Sequence, residues 1–383
     1  MSYFDLGGTV RSQTAEQTLI WLKPFLKELG ITRVANVTGL DCLGIPVAIS
    51  IRPNSKHLTT SQGKGITWEL AAASAIMESI EGYHVENPPP PVLQGSYNEL
   101  HSAYPLINPL SLTPGIFTLR HLADQPMGWV EAVNIGTSPP STMFIPHILT
   151  CLDSTQPHPE YSFLSVSSNG LAAGNQKEEA ICHAIYEIIE RDSLCCWGSL
   201  NDDERAATQL RLDTIDSSLN KNLLQQFTAA NQLIKIWNIT SRLGIPTFHC
   251  VIYDANPARS LGVFRGTGSH ICKEIALSRT LTEVAQSRLT LISGSRDDVF
   301  NDHYQQRASF TYNKIDYQGQ FDYQSLLPII NPTSFDQTID FLCAQLNEHG
   351  YKHILVFDHT KPEFNIPVVQ VFIPGMLFNG SRI

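Results

Sequence analysis

Two segments of this sequence carry glutamates at a spacing suited to chemistry. Over Trp68 to His84, where the apolar spacing predicts a helix, Ser74, Glu78 and Glu81 recur at i, i+4 and i+7 on one face. Over Lys177 to Trp197, a second predicted helix, Glu179, His183, Glu187 and Glu190 do the same. A third, Lys273 to Ile292, is apolar around most of its circumference but keeps Arg279, Glu283, Gln286 and Thr290 as a seam. A single E-x-x-E reads as a solvated helix face. Here like charges repel, costing a few tenths of a kcal/mol per pair, and the first two seams contain no lysine to relieve them. Four carboxylates on two helices, Glu78, Glu81, Glu187 and Glu190, suit a hard divalent cation. Magnesium with a nucleoside triphosphate is the expected load, because Mg²⁺ takes few carboxylates and completes its shell with phosphate and water.

Phosphates need donors as well. Ser167 to Asn175, SSNGLAAGN, reads as a small-residue turn opening the second helix, whose backbone N–H groups would cradle an anion. Ser61 to Gly65 puts a flexible Lys, Lys64, ahead of the first helix. Arg191 and Arg279 are candidate phosphate clamps, with a structural ion pair to a neighbouring Glu as the alternative for each. No G-x-x-x-x-G-K-[ST], kinase H-R-D or D-F-G set, or Rossmann G-x-G-x-x-G in its required setting is found, so a bound nucleotide uses none of those routes.

The elements that must position these groups belong to a chain of 383 residues, 42% hydrophobic and only 16% charged. About 25% charged is ordinary, so a large core or a buried subunit face is expected. With 36 acidic against 26 basic side chains and a formal net charge of −10, neither tight unspecific nucleic-acid binding nor an anionic membrane surface is expected. Met1 to Val10 has no signal-peptide pattern and no run of about 18 apolar residues occurs, so a cytoplasmic protein is expected. Eight scattered cysteines, with no C-x-x-C, read as reduced thiols, the adjacent Cys195 and Cys196 included. A helix is predicted over Glu16 to Leu29 and a strand–turn–strand over Ile31 to Pro53. Further strands are predicted at Gly128 to Ile135, Met143 to Leu149, Phe163 to Asn169, Ile234 to Trp237, Thr247 to Asp254, Ile354 to Phe357 and Val368 to Ile373. A helix is expected between the two strands that flank residues 238–246, and more helix over Asn201 to Asn231. Asp297 to Gln320 reads as a polar loop, and Pro88 to Pro91 as a linker. No repeat period appears. The expectation is an α/β (α+β mixed) fold with mixed β-sheets, residues 1–383 forming one domain with subregions 1–86, 87–165, 166–300 and 301–383.

Three long stretches, SQGKGITWELAAASAIMESIEGYH, SSNGLAAGNQKEEAICHAIYEIIERD and ALSRTLTEVAQSRLTLISGSRDD, occur in this order, and through them the sequence resembles the YcaO family from Gly8 to Gly375. The resemblance implies a fold of its own that holds ATP and Mg²⁺ in a cleft without a Walker loop. It implies magnesium ligands at Glu78, Glu81, Glu187 and Glu190, and further metal or phosphate contacts at Glu179 and Asn175. It also implies a terminal-phosphate contact at Arg191, nucleotide contacts at Arg279 and Glu283, and a basic phosphate contact at Arg11. Lys64 and Ser74 complete the nucleotide-binding candidates; no proton-transfer residue is named. The implied chemistry is ATP-dependent phosphorylation of a peptide amide oxygen, with a Cys, Ser or Thr side chain closing an azoline or sulfide giving a thioamide. The tail VVQVFIPGMLFNGSRI lacks the P-x-P-x-P ending of many azoline-forming members, which moves the expectation toward members that act with a TfuA-like partner. With no fused leader-binding or E1-like region expected, a partner protein would deliver the peptide, and a homodimer is expected. A Mg-ATP phosphotransferase for a small metabolite and a non-catalytic peptide-binding subunit are the alternatives.

Overall fold

A computed structural model of the chain describes residues 3–112, 122–155, 164, 166–256, 260–299, 319–327 and 330–377. Strands β1 (Phe4–Asp5) and β2 (Val10–Arg11) form a short hairpin that leads into α1 (Ala15–Leu22). Thr14 caps α1 through a reciprocal capping box with Gln17. The helix is shorter than expected, because Lys23–Phe25 tightens into a 3₁₀ turn around Pro24, which has no N–H to continue the ladder.

Next come β3 (Arg33–Asn36), β4 (Val47–Ile51) and β5 (Thr60–Lys64), an antiparallel sheet covered by α2 (Trp68–Val85). Lys64 thus stands at the end of β5, ahead of α2. Helix and sheet meet over small residues: Ala71, Ala72 and Ala75 are buried, and a Cβ on Gly63 would fall 2.1 Å from both Ala71 O and Ala75 N. The proline run lies between α2 and β6 (Leu93–Gly95), which is followed by α3 (Tyr97–Leu100), β7 (Met127–Asn134), β8 (Ser141–Pro146) and β9 (Leu171–Ala173). Of the strand expected at 163–169, residues 163 and 165 lie outside the described set and 166–169 are irregular; the strand falls later, at β9.

The long α4 (Lys177–Gly198) precedes α5 (Asp202–Ala207) and α6 (Ser218–Ala229). Strands β10 (Gln232–Asn238), β11 (Thr247–Asp254) and β12 (Phe264–Ser269) form a second three-stranded antiparallel sheet beneath α7 (Lys273–Ser293). No helix separates β10 from β11. Most of the polar stretch 297–320 lies outside the described residues. The chain then forms α8 (Phe335–Glu348), which the sequence reading does not assign, and β13 (Leu355–Asp358) and β14 (Val368–Phe372). These last two join a six-stranded sheet in the order β6-β7-β13-β14-β9, with β8 also on β7. Every pairing between named strands is antiparallel, with isolated parallel bridges at Leu106–Phe144 and Leu210–Phe321. Sheets and helices are thus mixed along the chain as expected.

The fold contains a structural repeat that has no counterpart as a sequence period. Sheets β3-β4-β5, β13-β14-β9 and β10-β11-β12 each carry one long helix, α2, α4 and α7, which starts four residues after the last strand ends. The register agrees in detail. Glu78 accepts the N–H of Gln62, and Glu283 that of Thr267, both sixteen residues back. Gly63 lies under Ala71 O and Ala75 N, and Gly268 under Ala276 O and Thr280 N. A common skeleton is visible once the units are aligned on their helix starts: Glu69, Ala71 and Glu78; Glu178, Ala180 and Glu187; Glu274, Ala276 and Glu283. The α4 unit borrows its first two strands from the end of the chain, so no constant sequence period exists to be found.

Candidate active site

The three helices line one cleft of about 440 Å³. Each contributes the same three register positions to its wall: Ser74, Glu78 and Glu81 from α2, His183, Glu187 and Glu190 from α4, Arg279, Glu283 and Gln286 from α7. The N-terminal hairpin adds Arg11, β5 adds Lys64, the turn before α4 adds Asn175, and Glu179 and Arg191 flank the α4 set. All twelve metal and nucleotide candidates named from the sequence therefore border the same cavity, whereas Thr290 of the third seam does not.

Their commitments differ. Glu179, 3% exposed, is the most engaged: Oε2 accepts the N–H of Ser12 (3.0 Å) and its hydroxyl (2.8 Å), Asn175 Nδ2 donates to Oε1 (3.3 Å), and Arg11 Nε lies 3.7 Å away. Asn175 also accepts from Thr18 Oγ1 at 2.7 Å. This network ties the hairpin and α1 to α4. Glu283 is paired with Lys64 Nζ while its other oxygen accepts the Thr267 N–H at 3.2 Å. Arg191 approaches Glu187 at 3.7 Å.

Glu78 and Glu81 each hold one backbone donor, Gln62 N–H at 3.0 Å and Ala173 N–H at 2.7 Å. The second bond revises the anion-cradle reading of Ser167 to Asn175. Ala173 gives its N–H to Glu81, Leu171 to Ser168 O and Gly174 to Pro367 O, so these three donors serve the fold. Arg279 donates through Nη1 to His183 Nδ1 at 3.4 Å, and its Nε is buried with no partner.

The electrostatics divide the cleft. Desolvation pushes the Glu78 carboxyl up to about 7, against the pull of the Gln62 N–H, and Glu190 likewise up to about 7, helped by repulsion from Glu283. Burial also raises Glu81 well above the ordinary range, and raises Glu187. Glu283 moves the other way: burial opposes its ionisation, but Lys64 and Arg191 outweigh it and hold it below the usual value. Desolvation, then Arg279, Arg11 and Lys64, keeps His183 far below its usual value and hence neutral, an acceptor for Arg279.

Four strained carboxylates facing a guanidinium with an orphaned donor make a donor set that fits a divalent cation and a phosphate chain. Among the described residues no three His, Cys, Asp or Glu side chains are gathered closely enough to hold a metal by themselves. That suits magnesium, which binds through one or two carboxylates and takes phosphate oxygens and water for the rest. The sequence reading names His183 and Gln286 in its seams but gives them no role. The signal that places them in the wall is the repeat register: they align with Ser74 and Arg279, and with Glu81 and Glu190.

Carboxylates and basic side chains gathered in one cleft from helix faces, rather than from a phosphate-binding loop, suit a magnesium–nucleotide site outside the Walker and Rossmann classes. The chain belongs to the YcaO family: the family model described as YcaO cyclodehydratase, ATP- and Mg²⁺-binding, matches residues 62–377. A protein of Rhizobium leguminosarum bv. trifolii, named for its place in the tfuA 3′ region, is 30% identical over 379 residues, covering 96% of this chain and 88% of its own length. Among solved structures, YcaO from Methanopyrus kandleri bound with AMPPCP and Mg²⁺ superposes with a TM-score of 0.76 at 19% identity, covering 98% of this chain and 95% of that one. A heterocyclase in complex with substrate and cofactor superposes with a TM-score of 0.79 at 22% identity, covering 96% of this chain but 53% of that one, so this chain spans about half its length. At these identities the structural likeness is one of fold. Among the described residues no helix is long and apolar enough to cross a membrane. No disulfide joins any of the eight cysteines.

Proposed function

We propose that this protein binds ATP and Mg²⁺ in the three-helix cleft and activates a peptide backbone amide by phosphorylating its oxygen. The observation that carries the reading is that Glu78, Glu81, Glu187 and Glu190 from α2 and α4 line the same cleft as Arg279, Arg191, Arg11 and Lys64. The four carboxylates hold magnesium; Arg191, Arg279, Lys64 and Arg11 meet phosphate charge; Ser74, Asn175, Glu179 and Glu283 orient these groups. Bound magnesium supplies neutralisation of the charge that develops on the transferring phosphoryl oxygens.

An amide oxygen is a very poor leaving group, and phosphorylation makes it a good one. A sulfur nucleophile adds to the carbonyl carbon, the oxygen takes the terminal phosphoryl group of ATP, and the C–O bond breaks to release phosphate and leave ADP. With a neighbouring cysteine thiol, loss of the S–H and amide N–H protons leaves the C=N bond of an azoline; with hydrosulfide, loss of its S–H proton leaves the C=S bond of a thioamide. The substrate is a ribosomally made peptide or protein. The position of the Rhizobium relative beside tfuA supports a TfuA-like partner and the thioamide branch over an E1-like partner and the ring. A homodimer belongs to the same proposal, tested by sedimentation equilibrium.

The deciding experiment supplies the protein with ATP, magnesium, sulfide, the TfuA-like partner and a candidate peptide, and weighs the product. Exchange of one oxygen for sulfur supports the thioamide branch, and loss of one water the azoline. ATP consumed with the peptide unchanged, and a phosphorylated small molecule in its place, would replace this reading with a metabolite phosphotransferase. No ATP consumed in any combination would leave a peptide-binding subunit.

A further inference from the structure

The repeat makes the cleft a three-sided site in which one side differs. At the middle position all three units carry glutamate, Glu78, Glu187 and Glu283; at the last position α2 and α4 carry Glu81 and Glu190, whereas α7 carries Gln286. The α7 side has lost its negative charge twice over. Lys64 neutralises Glu283, and the amide of Gln286 stands where the other two helices place a carboxylate.

Gln286 is also tied to the acidic side. Its Nε2 donates to the backbone O of Gln62 at 3.4 Å, and the N–H of that same residue holds Glu78 at 3.0 Å. The Gln62 side chain, 3% exposed and bordering the cleft, gives Oε1 to Thr290 and leaves Nε2 buried without a partner. A carboxylate at 286 would face Gln62 and Glu283 from a half-exposed position open to the cavity. It would complete a third E-x-x-E and turn the phosphate-facing wall into another cation-binding wall.

We infer that Gln286 is a specificity-determining residue: by carrying an amide at a repeat position where its counterparts, Glu81 and Glu190, are assigned to the metal, it confines divalent cations to the α2–α4 side and leaves α7 to the phosphates. This rests on the magnesium–nucleotide part of the proposed function, not on the peptide chemistry.

The test is Gln286→Glu on the full chain, with Mn²⁺ binding to the nucleotide-free protein followed by electron paramagnetic resonance and binding of AMPPCP with Mg²⁺ followed by calorimetry. Expected are a Mn²⁺ dissociation constant about tenfold lower than in the parent protein, as for one added oxygen ligand, and weaker AMPPCP binding. Gln286→Met, which keeps the length but adds no charge, is expected to leave the Mn²⁺ isotherm unchanged. A Gln286→Glu isotherm superposing on the parent's, in protein with an unchanged unfolding midpoint, overturns the inference. If Gln286→Glu does not fold, Gln286→Asp carries the same expectation and the same overturning result. Parent protein that binds neither AMPPCP nor Mn²⁺ under any condition would fail the magnesium–nucleotide reading itself, an outcome distinct from a null effect at position 286.

Discussion

Glu78 and Glu190 are carboxylates held near neutrality at a place where an ion would release the strain, and their behaviour is open to direct measurement. Glu78→Gln and Glu190→Gln are expected to keep the fold and to weaken Mg-nucleotide binding at least about tenfold each, about 1.4 kcal/mol; calorimetry returning the parent affinity in both variants would sink the site assignment. In the metal-free protein both groups keep their protons up to about 7, well above the ordinary glutamate value of 4.5. The folded state therefore binds more protons than the unfolded one between those values. Their contribution to stability is present at low pH and is lost as pH rises through about 7. Melting curves of metal-free protein should accordingly show a midpoint that climbs as pH falls from 8 towards 5, with a shallower slope in the double variant Glu78→Gln/Glu190→Gln, where the raised Glu81 and Glu187 remain. Magnesium must displace the same protons, so Mg-nucleotide affinity should rise with pH over that window. At this scale the sequence was informative, since spacing put Glu78 with Glu81 and Glu187 with Glu190. It was silent on Glu179 spending its oxygens on Ser12 and Asn175, because those bonds join residues 167 positions apart in one case.

The recurring element is a helix laid on a three-stranded antiparallel sheet, and in the α2 and α7 units its tightest point is glycine against helix backbone, where the α4 unit carries Ala172. A Cβ at Gly63 would lie 2.1 Å from Ala71 O and Ala75 N, and one at Gly268 2.5 Å from Ala276 O. Backbone cannot step aside as a flexible side chain can, so Gly63→Ala and Gly268→Ala are each expected to cost about 3 kcal/mol or more of stability. Urea unfolding reads this directly, and a change below about 1 kcal/mol in either would show that the helix can lift without penalty. The long helices α2, α4 and α7 were legible because their apolar periodicity runs for five or more turns. Strand β12, FRGTGS, was not: its glycines lower strand propensity, and they are there because α7 lies on them. Helix α8 was passed over although Phe335, Leu342, Cys343 and Leu346 make a buried face at helical spacing. The spacing of α1 ran past its true end because the Pro24 turn keeps residues beyond it packed on the same core.

At the scale of the molecule, the cleft exists only when the chain is closed on itself. The platform of α4 is β9 paired with β14, and β14 paired with β13, so the last described strands complete a wall begun near residue 171. The Lys64–Glu283 pair joins the α2 unit to the α7 unit across the same cavity. A ligand bound there touches all three units and should stabilise the whole fold: at a hundredfold excess over its dissociation constant, AMPPCP with Mg²⁺ is expected to add about 2.7 kcal/mol. Scanning calorimetry should show one transition moving upward as a unit; a ligand-shifted transition that leaves a second one behind would mean that the units unfold independently. The amino-acid sequence by itself determined the long helices, which of their faces are polar, the family, and the load those faces suit, because these follow from local periodicity and from residue chemistry. Only the tertiary structure decided that three separate seams meet, that their units are copies in one register, and that the third wall is neutralised by Lys64 and Gln286. Those facts depend on pairings between distant strands, the last of them reaching from the chain's end back to its middle, and no local pattern records such a pairing.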